Sequence, residues 1–433
     1  MKRILLLLAS LALISSGFAQ TQIEFWHAFS DANRSGWIQD RIDEFNAQLA
    51  ADGRNFEVVG ERKGSYPETQ QAAVLAARQG NPPHLVQLYE VGSQIAVDSG
   101  IFMPVDELGP FDTDDYIAPV LNYYTIGGQV HSIPFNSSSP IIYANRTLMD
   151  AAGIDSVPRT MGGILEACQA AEDAGVLTAD VKCFGMSLNG WFIEQWVAEQ
   201  GEPLVNNDNG RAGRATEVLL TSDAVKNVFN FMKDLNDNGW YTYTGRLEDW
   251  DGSDAIFANG NAMFHITSTA DLVNITNSVG DNFDLVTGQL PIVDGTVRNG
   301  VVIGGASVWL VADHPEDQLN VAREFVLYMT NPENRVSWHK ATGYYPVRNS
   351  SVDLLEAEGW FEEFPNASTA FDQLLNTIPH SATAGALMGT FQATRTIVEE
   401  ALQKVFAGAT VDSALEEAKR LADAALAEYN ANF

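Results

Sequence analysis

Positive charge is scarce in this sequence. Its 25 lysines and arginines face 56 aspartates and glutamates, a net charge of −31. Nucleic-acid binding needs a basic face, and an anionic lipid surface repels such a chain, so the balance argues against both partners. The acidity favours solubility. It does not exclude an anionic ligand, because charges beyond about 8 Å are screened at physiological salt and a local arginine can outweigh them. Histidine and cysteine are scarce too. The seven histidines fall at no metal-ligand spacing, and Cys168 and Cys183 have no histidine pair beside them, so no metal and no cofactor is expected. Catalytic motifs are missing: there is no G-x-x-x-x-G-K-[ST], no H-E-x-x-H and no G-x-S-x-G. Carboxylates are so numerous that any pair could be read as a glycosidase acid and base, which makes that reading unspecific. Asp234, Asn236, Asn238 and Gly239 open like a calcium loop, but Gly245 stands where a bidentate glutamate is required, so an ordinary helix end is expected.

Long apolar runs are absent except at the start. Lys2 and Arg3 precede a run over 4–14 broken only by Ser10, followed by Gly17-Phe18-Ala19. This is the pattern of a signal peptide over 1–19, with Gln20 as the mature start. The run is short for a membrane span, and no cysteine near the cleavage site offers a lipid anchor. The expectation is a protein soluble in the periplasm or the medium. Export would permit a disulfide between Cys168 and Cys183, provided that their Cα atoms come close enough. A chain of 433 residues with 45% apolar content should form two domains rather than one core.

The chain after residue 20 alternates strand and helix, the pattern of a mostly parallel α/β sheet. Residues 23–26, 56–59 and 84–89 read as strands. Between the first two, Ile38, Ile42, Phe45 and Leu49 mark one face of a helix. Ser65-Tyr66-Pro67-Glu68 is a capping box with proline in the first turn, and the helix it opens stops at Gly80 before Pro82-Pro83. Glu90 follows the third strand at its carboxyl end. Ligands of open α/β sheets bind beyond those ends, so Tyr66 and Glu90 could share one crevice. The stretch 134–140 is polar, bounded by Pro134 and Pro140, and reads as a connection between lobes. A second α/β unit follows. It has helices near 146–152, 161–174 and 224–235, an aromatic helix opening at Gly190-Trp191, and strands at 262–266 and 301–310. The last hundred residues are mostly helical.

Several residues admit two readings. Tyr66, Trp191, Trp309 and Tyr344 could stack on a ligand or simply pack. Arg395 lies on an amphipathic helix, as either a solvated flank or a fork for phosphate or carboxylate. Gly304-Gly305-Ala306-Ser307 interrupts an apolar stretch, as a hinge, a site of close backbone approach, or both.

Six segments, in order along nearly the whole chain, carry a resemblance. They are Phe25-Trp26-His27, Gln87-Leu88-Tyr89-Glu90-Val91-Gly92, Pro134-Phe135-Asn136-Ser137-Ser138, Ile303-Gly304-Gly305-Ala306-Ser307 with Trp309, Trp338 through Tyr344, and Arg395-Thr396-Ile397-Val398. Together they resemble the periplasmic glycerol-3-phosphate-binding proteins of ABC importers, within the extracellular solute-binding family that includes maltose binders. The resemblance implies a monomeric two-lobed α/β clamp with a multi-strand hinge, serving a membrane permease. Lobe 1 would span 20–135 and 267–307, and lobe 2 would span 136–266 and 308–433. It implies ligand contacts from Tyr66, Glu90, Ser138, Gly305, Tyr344 and Arg395, with a hydroxyl contact at Thr267 or Ser268, and Trp191 is a further candidate contact from its aromatic ring. Arg395 would take the phosphate, Ser138, Gly305 and Tyr344 would add donors, Glu90 would accept from glycerol hydroxyls, and Tyr66 would cover the ligand. One position departs from the pattern: where the family's glycerol-3-phosphate binder has a tryptophan just before the match to Gly190-Trp191, the residues here are Ser187, Leu188 and Asn189. The smaller leucine implies a roomier pocket for glycerol-3-phosphate or a glycerophosphodiester, with a diester such as glycerophosphocholine bound as well as or better than glycerol-3-phosphate. The alternatives are a sugar or oligosaccharide binder and a secreted hydrolase.

Overall fold

The computed structural model describes residues 20–433, so the signal-peptide reading of 1–19 lies outside the described residues. The first elements form where local chemistry dictates. Asp31 caps the Ala32–Ala51 helix by accepting from the Arg34 amide, and Trp37, Ile38, Ile42, Phe45 and Leu49 are buried along one face. The capping box of Ser65 and Glu68 starts the Tyr66–Arg78 helix.

Two sheets result. The first runs Phe56–Arg62, Thr21–His27, Leu85–Tyr89, Gly304–Val311 and Phe102–Met103, with Ile133–Ser138 also on Gly304–Val311. The second runs Tyr241–Thr242, Lys182–Met186, Ala262–Ser268, Pro140–Asn145 and Leu285–Gln289. Helices flank both. In each sheet the strands run in one direction except for a single reversed strand, as expected of a mostly parallel sheet. Gly304–Val311 is antiparallel to all three of its neighbours, and Pro140–Asn145 is antiparallel to both of its own.

The 134–140 segment passes from one sheet to the other, and it does so as strand. Ile133–Ser138 belongs to the first sheet, and Pro140 begins a strand of the second. Its polar side chains are buried at the junction. Arg335 anchors it from below: fully buried, it donates to the Phe135 carbonyl at 2.7 Å and lies 4.8 Å from the Phe135 ring. Burial lowers the Arg335 pKa to about 9.

The lobe boundaries differ from those expected. Leu285–Gln289, expected in lobe 1, pairs with Pro140–Asn145 in the second sheet, and the chain rejoins the first sheet only at Gly304. Residues after 308 do not all belong to lobe 2. The Glu316–Met329 helix packs on the first sheet, the Pro332–Thr342 helix packs on the Ala32–Ala51 helix, and the Phe391–Phe406 and Val411–Asn430 helices cover the second lobe. Trp309 is fully buried in the first lobe, 5.3 Å from Phe102, so it packs rather than meeting a ligand. Cys168 and Cys183 are bonded, with Cα atoms 5.4 Å apart, joining a helix to a strand of the second lobe. The near-match to a calcium loop is a helix end capped at Asn238, with Gly239 at φ 71°. No described helix is long and apolar enough to cross a membrane.

Candidate functional site

Between the lobes lies a cleft of about 420 Å³. Of the residues singled out from sequence, Tyr66, Glu90, Ser138, Trp191, Ser268, Gly305, Tyr344 and Arg395 line it together. Tyr66 is the first helical residue, directly after the Ser65 cap. Its ring stacks on Tyr89 at 5.5 Å and 7°, and its hydroxyl accepts from Asn136 Nδ2 at 2.9 Å. Burial pushes the phenols of Tyr66 and Tyr344 above their ordinary values, so both stay protonated and able to donate. Gly343 ends the Pro332–Thr342 helix at φ 93° and delivers Tyr344, which stacks on Trp338 at 5.5 Å. Gly305 is required by its backbone: φ is 100°, and a Cβ there would collide with the Asn136 carbonyl oxygen. A Cβ at Gly304 would meet the Trp191 ring at 2.5 Å.

Arg395 is not a solvated flank. It is 8% exposed and already held by two carboxylates. Its Nη2 donates to Glu90 Oε1 at 2.7 Å and to Glu194 Oε1, and its Nε donates to Glu194 Oε2 at 3.3 Å. Burial opposes its charge, but Glu194 and Glu90 outweigh burial and raise its pKa. Glu194 is raised to about 7, by burial first, with Arg395 pulling the other way. Glu399 is raised to about 8 by burial, and it accepts from the Gly190 amide at 2.8 Å, closing the start of the Gly190–Glu199 helix. A Cβ on Gly190 would lie 2.9 Å from the Arg395 Cα, which explains how the two helices come so close.

Two expected contacts are corrected. Successive strand residues face opposite ways, so only one of Thr267 and Ser268 can reach the cleft. Ser268 does, while the Thr267 hydroxyl is buried without a partner. Leu188 is 1% exposed in the second lobe's core, turned inward by its bridge to Leu247, so it does not line the cleft. The room expected from it therefore does not open there. Trp250 stands beside Trp191 instead, with ring centroids 5.7 Å apart.

The cleft also holds residues that the sequence reading missed. Arg34 donates to Asp271 Oδ1 and to the Ala270 carbonyl, both at 3.0 Å, and lies over the Tyr344 ring at 5.3 Å. Burial and Asp254 push Asp271 upward against the pull of Arg34. Tyr89, Asn189, Glu248, Trp250, Asp251 and Gln392 are also on the walls. Some signal was available. Glu194 is an acid inside the otherwise apolar start of the Gly190–Glu199 helix, and Glu248 through Asp251 is an acidic, aromatic cluster at a helix start.

Known proteins resemble the chain in sequence and in fold. The chain is 29% identical to the sn-glycerol-3-phosphate-binding periplasmic protein UgpB of Yersinia pseudotuberculosis, over 97% of this chain and 95% of that protein. It is 29% identical to UgpB of Escherichia coli K12, over 95% and 94%. A crystal structure of UgpB from Mycobacterium tuberculosis in complex with glycerophosphocholine superposes with a TM-score of 0.75 at 23% identity, covering 95% of this chain and 99% of that one. A cyclic alpha-maltosyl-1,6-maltose binding protein from Arthrobacter globiformis gives 0.76 at 18% identity, over 94% and 99%; at these identities the two structures speak for the fold alone. The family profile described as bacterial extracellular solute-binding protein matches residues 40–369, and with that match over most of its length, this two-lobed chain belongs to the bacterial extracellular solute-binding proteins.

Proposed function

We propose that this chain is the solute receptor of an ABC importer, capturing glycerol-3-phosphate or a glycerophosphodiester between its lobes outside the cytoplasmic membrane and handing it to a permease. The observation that carries this reading is Arg395, a buried guanidinium at the inter-lobe cleft among protonated phenols and serine hydroxyls. Charge-assisted hydrogen bonds are roughly twice as strong as neutral ones, so a phosphate oxygen is the acceptor that this set of donors suits. The names of the UgpB relatives support the same ligand class. Tyr66, Ser138, Ser268, the Gly305 amide and Tyr344 would surround the phosphate, and Trp191 with Trp250 would wall the other end.

A second reading, an oligosaccharide receptor, is favoured by the aromatic pair Trp191–Trp250 beside Glu248 and Asp251, since aromatic faces and carboxylates also suit sugars. A thermal-shift panel of glycerol-3-phosphate, glycerophosphocholine, inorganic phosphate and maltodextrins separates the two. Ligand at about 100 times its Kd adds roughly 2.7 kcal/mol of stability. A shift with maltodextrins alone would sink the phosphate reading. The receptor role also expects ligand recovered unchanged after long incubation; a hydrolysed diester would make the protein an enzyme.

A further inference from the structure

The cleft brings its own anions to the places where a phosphate would bind. Glu90 and Glu194 occupy Nη2 and Nε of Arg395. Among the described residues, Nη1 makes no hydrogen bond to the chain, so one edge nitrogen remains for a ligand. Arg34, the other arginine on the wall, is paired with Asp271 at 3.0 Å. Glu399 fills the start of the Gly190–Glu199 helix. Two carboxylates on one guanidinium leave that cluster with one net negative charge when both are ionised.

We infer that Glu194 sets the charge of the ligand, acting through Arg395 as a positioning residue, so that the cleft takes singly charged phosphodiesters in preference to doubly charged phosphomonoesters. The inference rests on the phosphate reading above and names the ligand class within it. Glu194 lies behind Arg395, away from the cleft, against a cavity of only about 10 Å³ that Tyr123 and Glu202 also line. It cannot touch the ligand. It holds the guanidinium by two nitrogens, so a monoester could gain a bidentate grip only by displacing a buried carboxylate. A monoester carries about −1.5 to −2 at neutral pH. Beside a cluster that is already negative, the second charge repels, whereas a diester adds one charge and leaves Glu194 in place. The groups facing Glu194 are Arg395 on the Phe391–Phe406 helix, Glu90 across the cleft, Tyr123, and Glu202 beyond it. Only Arg395 is a cation. Burial makes Glu194 easier to protonate, so a monoester that does bind should bring a proton with it.

The test is titration calorimetry with glycerol-3-phosphate and glycerophosphocholine on wild type and Glu194→Gln. Wild type should bind the diester at least tenfold more tightly than the monoester, and Glu194→Gln should narrow that ratio tenfold or more by strengthening the monoester. An unchanged ratio in a variant that binds both ligands overturns the inference while leaving the phosphate reading intact. Wild type that binds neither ligand overturns both. A second measurement needs no variant: wild-type titrations at about pH 8 in two buffers of different ionisation enthalpy. Proton uptake with the monoester and none with the diester is expected, and equal proton counts refute the role of Glu194 even if Glu194→Gln fails to fold.

Discussion

Replacing Arg395 with alanine should cost stability as well as binding. One guanidinium is shared by Glu90, at 2.7 Å, and by Glu194, and the three side chains are 5–10% exposed. Its loss leaves two acids side by side with no cation. Removing one partner of a buried pair costs about 3–5 kcal/mol, because the remaining charge is uncompensated. Protonation offers an escape. Glu194 is already raised from 4.5 to about 7, by burial first and against the pull of Arg395, and without Arg395 it rises further. A carboxylate whose folded pKa lies above its unfolded one stabilises the fold below the unfolded value and loses that stability as pH rises through the folded value. The cost of Arg395→Ala should therefore be largest near pH 8 and shrink to about 1–2 kcal/mol near pH 5, where Glu194 is protonated. Urea denaturation of wild type and variant at the two pH values reads this directly. In a Glu194→Gln background the same substitution should cost less by at least about 1 kcal/mol, the coupling expected of residues in contact. Phosphate-ligand affinity should fall tenfold or more, since a hydrogen bond to a charged group contributes about 1.5–3 kcal/mol. A cost that is equal at both pH values and additive with Glu194→Gln would falsify the shared-cation account.

Two further expectations follow from single positions. Cys168→Ser should cost about 3 kcal/mol, the entropy scale for closing a loop of about fifteen residues, and dithiothreitol should lower the melting temperature of wild type but not of the variant. Gly305→Ala should cost about 1–3 kcal/mol from the left-handed φ alone, plus the collision with the Asn136 carbonyl. It should also weaken ligand binding because Gly305 lines the cleft, whereas Gly213, with open space around its Cβ position, should accept alanine with a change in melting temperature within error.

Legibility from sequence followed the distance over which each feature is determined. Tyr66 and Glu90 were placed correctly because a capping box and the end of a strand are local, and the rule that ligands sit beyond strand ends did the rest. The lobe boundaries were not, because the sheet that Leu285–Gln289 joins is decided by pairing with Pro140–Asn145 far back in the chain. Arg395 was ambiguous for the same reason: its partners stand 201 and 305 residues away, and no window around it contains them. Leu188 shows a different failure. Its position in a motif suggested the cleft wall, but the bridge to Leu247 turned it into the core. The aromatic wall arrived from Trp250, on a separate element.

The pairing of both cleft arginines also changes what affinity must mean here. Arg395 has Glu90 and Glu194, and Arg34 has Asp271, so a ligand phosphate replaces or joins existing charge-assisted bonds instead of filling unsatisfied ones. Its net gain is the difference between two paired states. A count of contacts in the bound form would overstate that gain, because partners left without an acceptor must be resatisfied or protonated. Small differences in ligand charge then weigh more than large differences in ligand area. A chain of net charge −31 can thus bind an anion selectively: bulk acidity is screened within about 8 Å, and discrimination falls to the few buried charges that share one guanidinium.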